Sequence, residues 1–234
     1  MNEATKVVHT ERLELGLARE RWPFADENAP IIDAYFAALR RATPELWNGR
    51  VLVLLRYALE GNVFRGRYIE TDYANLTAYR HWGHAGSARD SFGAAAVISS
   101  DGAILLGRMS DRTVNAGQLY FFCGTPDLSD VVDGRVDLDF SVKRELKEES
   151  GLDIGELSAE PGWTTVMEPG RIAHIKLLRS RDDAKSLQRR MLAHLASEAE
   201  PELCDIVVVR GAGDFDRTMP SYVTAFLRHY FAGG

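Results

Sequence analysis

Arg144-Glu145-Leu146-Lys147-Glu148-Glu149-Ser150-Gly151-Leu152 is the stretch from which the rest of the chain can be organised. On a helix each residue advances about 100° around the axis. Glu145, Glu148 and Glu149 stand at i, i+3 and i+4, so their carboxylates share one face. Arg144 lies beside Glu148 at one edge of that face, while Val142 and Leu146 at the other edge anchor the helix to a core. Lys143 and Lys147 turn to solvent. Three like charges on one face destabilise an isolated helix, and a solvated face more often interleaves lysines. Such a face suits a hard divalent cation, since magnesium prefers oxygen ligands and takes carboxylates together with phosphate oxygens. From this geometry alone, a charged surface helix with ordinary i,i+4 pairing is the alternative.

Working outward, the helix is expected from about 139 to 150, ended by Gly151 in a left-handed cap. Upstream, strands are expected over 92–99, 103–108 and 119–123, followed by a loop rich in aspartate that contains Pro126 and Gly134. Downstream come strands over 162–167 and 171–178, joined by Glu168-Pro169-Gly170. A helix over 182–198, a strand over 205–210 and a helix over 221–231 complete this part. Strands and helices mix without a regular βαβ cadence, which predicts an α/β (α+β) sandwich on a mixed sheet.

The first 90 residues read differently. Residues 11–18 alternate as a half-buried strand, and Ile31, Ile32, Tyr35, Phe36 and Leu39 repeat at helical spacing with Pro30 as the start. Residues 50–60 and 63–71 form a hairpin about Gly61-Asn62. Asp72 caps a helix running to about Trp82, and the small, polar segment His84-Ala85-Gly86-Ser87-Ala88 marks a boundary. Two units are therefore expected: an N-terminal α+β extension over 1–90 and a second domain over 91–234.

The 234 residues are enough to bury a core without staples. A formal charge of −6 argues against a nucleic-acid coat, which needs a basic surface. Cys123 and Cys204 have neither a CxxC partner nor a nearby histidine, and read as two buried thiols in a reducing compartment. The first residues lack a signal-peptide layout and no apolar run reaches membrane-spanning length, so a cytoplasmic protein with no membrane partner is expected.

The order of residues 144–152 resembles the second half of the Nudix box, G-x5-E-x7-R-E-U-x-E-E-x-G-U with U a bulky aliphatic residue, at every specified position. On this resemblance the protein is identified as a member of the Nudix hydrolases. At strict spacing Asp130 falls where the box glycine belongs and Val136 where its glutamate belongs. With Gly124 as the glycine, Asp130 follows after five residues as a shorter acid, and the gap to Arg144 becomes thirteen rather than seven. A surface loop accommodates such an insertion.

The resemblance implies a Nudix-type α/β/α sandwich and a Mg2+ or Mn2+ cofactor. It implies Glu148 and Glu149 as metal ligands, and Glu145 as a further ligand or catalytic acid/base. Arg144 would orient a glutamate, and Glu168 at the end of a later strand would supply another ligand or base. Trp47-Asn48-Gly49, the hairpin and the run Asn75–Arg80 are similar to the extension of an animal Nudix subgroup that hydrolyses UDP-glucose. That similarity implies a nucleoside diphosphate derivative as the small-molecule substrate, with Arg65, Arg67, Tyr68, Tyr79 and Arg80 as candidate contacts. It leaves a homodimer open. The rival reading is a nucleotide-binding module that keeps the fold without turnover. His174, alternating with Ile172 and Ile175, reads as packed or pocket-lining rather than as a nucleophile.

Overall fold

The computed structural model describes residues 5–44, 46–83, 86 and 88–233. In chain order the elements are β1 (Lys6–Thr10), β2 (Arg12–Leu17), α1 (Pro23–Ala42), β3 (Arg50–Glu60), β4 (Val63–Asp72) and α2 (Tyr73–Trp82). Next come β5 (Asp90–Ile98), β6 (Ile104–Met109), β7 (Leu119–Tyr120), β8 (Val131–Val132), β9 (Arg135–Val136) and α3 (Leu138–Ser150). The chain ends with β10 (Ser158–Ala159), β11 (Trp163–Glu168), β12 (Arg171–Arg179), α4 (Ala184–Ser197), β13 (Leu203–Val209) and α5 (Ser221–Phe231).

Two sheets organise the molecule. The larger runs β1-β11-β12-β5-β6-β13, with β10 on β12 and β7 on β6. It is mixed, because β12 pairs with β5 in parallel while its other pairs are antiparallel. β5 is buried along its whole length, as a small-residue run between two layers must be. Alternation along β5 sends Ala95 and Val97 into one core with Val142 and Leu146 of α3 and Leu187 and Met191 of α4. Ala94, Ala96 and Ile98 enter the other, with Tyr222, Val223, Phe226 and Leu227 of α5. The result is an α/β/α sandwich.

The smaller sheet, β3-β4-β2-β9-β8, contributes Leu15, Leu52, Leu54, Phe64 and Tyr68 to the α3 side of that core. Its other face is covered by α2 and Trp22 through Val51, Val53, Ile69, Leu76 and Tyr79. The β3–β4 hairpin turns at Gly61-Asn62 as expected, with φ of +58° at Gly61. The two sheets exchange segments. β1 pairs with β11 in the larger sheet, while β9 of the loop before α3 pairs with β2 in the smaller one.

Some sequence expectations are corrected. α1 begins at Pro23, not Pro30, because Pro23 takes the first helical turn where its missing N–H costs nothing. Pro30 is inside the helix, on its exposed side. β7 is two residues long rather than five, although Phe122 still bridges to Ala95. Both cysteines are free, but neither is fully buried: Cys123 is half-buried and Cys204 is exposed, at a register shift on β13. Residues 84, 85 and 87 of the expected boundary segment lie outside the described residues.

Candidate functional site

α3 is held at both ends by its own sequence. Asp137 accepts from the Phe140 N–H at 3.0 Å, and the Gly151 N–H donates to the Lys147 carbonyl with φ of +71°. A Cβ at Gly151 would stand 2.6 Å from the His194 ring, so space as well as φ requires glycine there. His194 donates from Nε2 to the Glu148 carbonyl at 2.9 Å, meeting an otherwise free acceptor of the last turn. Gly93 of β5 lets the helix sit close, since a Cβ there would be 2.8 Å from Val142 Cγ2.

The acidic face is not uniform. Glu145 and Glu149 are buried, whereas Glu148 is exposed. Arg144 is the hub: its Nη1 lies 2.8 Å from Glu145 Oε1 and 3.3 Å from Glu148 Oε2, and its Nη2 lies 3.3 Å from Asp130 Oδ2. Asp130 is fully buried and also accepts from the Asp127 N–H. Gly124 packs so closely on Glu145 that any Cβ would land on its carboxylate. Glu149 Oε2 accepts from the Cys123 N–H at 2.8 Å. The 123–130 segment and Arg144, with thirteen residues between Asp130 and Arg144, therefore form one cluster. The intervening residues fold out as the β8–β9 pair.

Burial dominates the electrostatics. The Glu145 carboxyl is pushed up to about 7 by desolvation, with Arg144 opposing and Glu148 reinforcing. Glu149 is raised well above the carboxylate range by desolvation and then by Glu145 and Glu202. Glu202, in the loop before β13, is a fourth glutamate of this group that sequence reasoning missed. Its only signal is the acidic run Glu198-Ala199-Glu200-Pro201-Glu202.

A cleft of about 570 Å³ opens over this cluster, lined in part by Arg144, Glu145, Glu148 and Glu202. Trp47 and Tyr73 stand on its wall, with ring centroids 5.9 Å apart. Arg80 reaches the same cleft, where its Nη2 donates to Thr125 Oγ1 at 3.1 Å and to Asp90. The other expected contacts are placed elsewhere. Tyr79 is buried in the aromatic group with Trp22 and Phe24, and Tyr68 is buried with its hydroxyl on Ser91. Arg65 and Arg67 fall on the outward register of β4 and line a separate groove, Arg65 being ion-paired with Glu14 and Glu60. Glu168 does not line the cleft; its Oε2 accepts from Ser221, and its buried Oε1 has no hydrogen-bond partner among the described residues. His174 is packed in the core beside Phe64, its pKa pushed down to about 3 by burial.

Among the described residues, no three His, Cys, Asp or Glu side chains are drawn together as a finished cation cage. The donor chemistry fits a hard divalent cation all the same. Glu145, Glu148 and Glu202 line the cleft with carboxylate oxygens, and with the buried Glu149 they repel one another in a partly desolvated space. No helix among the described residues is long and apolar enough to cross a membrane.

No family model matches the sequence, and no curated protein matches it. Similar solved structures include a Nudix hydrolase from M. smegmatis, RenU, at 11% identity and a TM-score of 0.40, covering 61% of this chain and 82% of that one. They also include the MutT protein from Methanosarcina mazei Go1, at 16% identity and a TM-score of 0.40, covering 62% of this chain and 95% of that one. The E. coli ORF135 protein matches at 19% identity and a TM-score of 0.34, covering 62% and 91%. The identities are low, so the chemistry rests on the side chains described above.

Proposed function

We propose that this chain is a cytoplasmic, Mg2+- or Mn2+-dependent Nudix-type hydrolase that cleaves a diphosphate linkage in a nucleoside diphosphate derivative, a nucleotide sugar such as UDP-glucose being the leading example. One observation carries the reading. The Gly124–Asp130 segment closes onto Arg144 and Glu145, so that the acidic helix lines a cleft large enough for a small molecule.

Glu148 and Glu149 would hold the cation, which when bound would supply Lewis acidity and an activated water, with Glu145 as a further ligand or as the acid/base. Arg144 fixes Glu145 through Oε1, leaving Oε2 as the atom that carries a proton. Without a cation this carboxyl is pushed up to about 7, within reach of a general acid/base, and a bound cation would lower it. In the overall reaction a bond forms between phosphorus and the water oxygen, and the bond to the bridging oxygen breaks. Asp130 engages Arg144 Nη2 and so helps fix the guanidinium whose Nη1 holds Glu145.

The test is turnover of a panel of nucleoside diphosphate derivatives with Mg2+ or Mn2+. Glu149→Gln is expected to lower it about a hundredfold or more. Metal-independent turnover, or an unchanged rate in Glu149→Gln, would refute the mechanism. A second reading, a nucleotide-binding module without turnover, draws on the absence of a finished carboxylate cage among the described residues. Tight binding with no hydrolysis in either metal would favour it.

A further inference from the structure

The cleft contains a second charge cluster, built from residues distant in sequence. Asp90 opens β5 and Arg171 opens β12, and the parallel register sets them side by side. Asp90 is buried at 4% exposure. It accepts from Arg80 Nε at 2.9 Å and Nη2 at 2.7 Å, and from Arg171 Nε at 3.4 Å. Burial alone would raise the Asp90 carboxyl, yet Arg80 and Arg171 hold it below its ordinary value, so it stays charged. Two guanidinium groups against one carboxylate leave one positive charge over.

That surplus is presented to the cleft. Arg80, Asp90 and Arg171 all line it with Glu145 and Glu148. Arg171 spends only Nε on Asp90, and its guanidinium lies 5.4 Å from the centre of the Tyr222 ring. Among the described residues, its Nη1 and Nη2 donate to no protein acceptor. A fork of this kind, steadied by an aromatic face and a carboxylate, matches the oxygens of a phosphate. The segment 123–125 spans the two clusters: Cys123 meets Glu149, Gly124 meets Glu145, and Thr125 meets Arg80.

We propose that Arg171, backed by Arg80, forms a metal-independent phosphate subsite that holds the second phosphate of the diphosphate while the first lies over the acidic helix. Calling that diphosphate a substrate rests on the hydrolase reading; the anion site does not. Asp90 is a positioning residue, since it orients both guanidinium groups and moderates their charge.

Inorganic pyrophosphate is the probe, titrated into the whole protein with EDTA present and followed by calorimetry. Saturable binding is expected, weakened about tenfold or more by Arg171→Gln, which corresponds to losing one charge-assisted contact. Arg171→Lys keeps the charge without the fork and is expected to fall between the two. Three results would overturn the proposal: no saturable binding to wild type, binding by Arg171→Gln within twofold of wild type (about the scatter of such titrations), or malonate bound more tightly than pyrophosphate. If Arg171→Gln does not fold, Arg171→Lys at full wild-type affinity overturns the fork. Arg171-dependent binding without hydrolysis of any nucleoside diphosphate derivative refutes the hydrolase reading and leaves the subsite standing.

Discussion

The two charge clusters of the cleft are composed in opposite proportions. Arg144 faces Asp130, Glu145 and Glu148, with Glu149 and Glu202 behind them, whereas Asp90 faces Arg80 and Arg171. In the first cluster charge is partly removed by protonation, because burial and mutual repulsion raise Glu145 and Glu149. In the second the lone carboxylate stays ionised, and the surplus falls on guanidinium groups that do not titrate in the working range. Neither cluster is neutral by itself, so each suits an ion of opposite sign: the proposed cation on one side and the proposed anion on the other.

Gly124 lies where the two clusters meet, and replacing it is expected to have the largest effect. In Gly124→Ala the new Cβ collides with the Glu145 carboxylate, which Arg144 holds in place. Displacing an acid/base group by about 1 Å costs roughly a hundredfold in turnover. Pyrophosphate binding at Arg171 in EDTA should change little. Steady-state rates and the titration together check this contrast. An unchanged rate would mean that the position of Glu145 is not critical.

Stability against pH separates the clusters next. Glu145 has an unfolded value near 4.5 and a folded value of about 7, so between those values the folded state binds the extra proton. Stability from this group is therefore lost as pH rises from 4.5 to 7, by on the order of 3 kcal/mol at about 1.4 kcal/mol per unit. Glu149 extends the same trend to higher pH. Denaturant melts in EDTA should show this decline, Glu145→Gln should flatten it, and added Mg2+ should restore stability at pH 8. A pH-independent wild-type melt would mean that Glu145 and Glu149 are better solvated than their burial indicates.

The acidic cluster was legible in the sequence and the basic one was not. Helical geometry converts the spacing of residues 144–149 directly into a shared face, and Gly124 with Asp130 keeps the five-residue interval of the box. The insertion resolves into the β8–β9 pair, whose attachment to β2 depends on a strand more than a hundred residues earlier. Asp90 and Arg171 meet only because β5 and β12 pair in parallel, a register that no local pattern encodes. Glu202 likewise arrives through the β13–β6 pairing. Arg65 and Arg67 are not brought to Arg80: alternation along β4 sends them to a different surface.

Asp130→Asn tests whether the Gly124–Asp130 half of the cluster acts through Arg144. The amide keeps the shape of a fully buried side chain but removes the charge opposite Arg144 Nη2. A loss of about 1–2 kcal/mol in folding free energy is expected, because Arg144 retains Glu145 and Glu148. Turnover should fall with it as Arg144, released at Nη2, holds Glu145 less firmly. A stability loss without any change in rate would make Asp130 a loop strut alone.

Arg65→Ala should have the smallest effect. Arg65 carries as many ionic contacts as some residues of the cleft, to Glu14 and Glu60, but its side chain is 45% exposed. Water screens such pairs, so a change below about 0.5 kcal/mol is expected, with turnover unaltered. The contrast with Asp130 is one of burial, since both residues are engaged by opposite charge. If Arg65→Ala lowers turnover while leaving the melt unchanged, the groove of Arg12, Arg56, Arg65 and Arg67 contributes to the reaction. Charge would then be recruited from outside the cleft, and two clusters would not be a sufficient account of how the substrate is held.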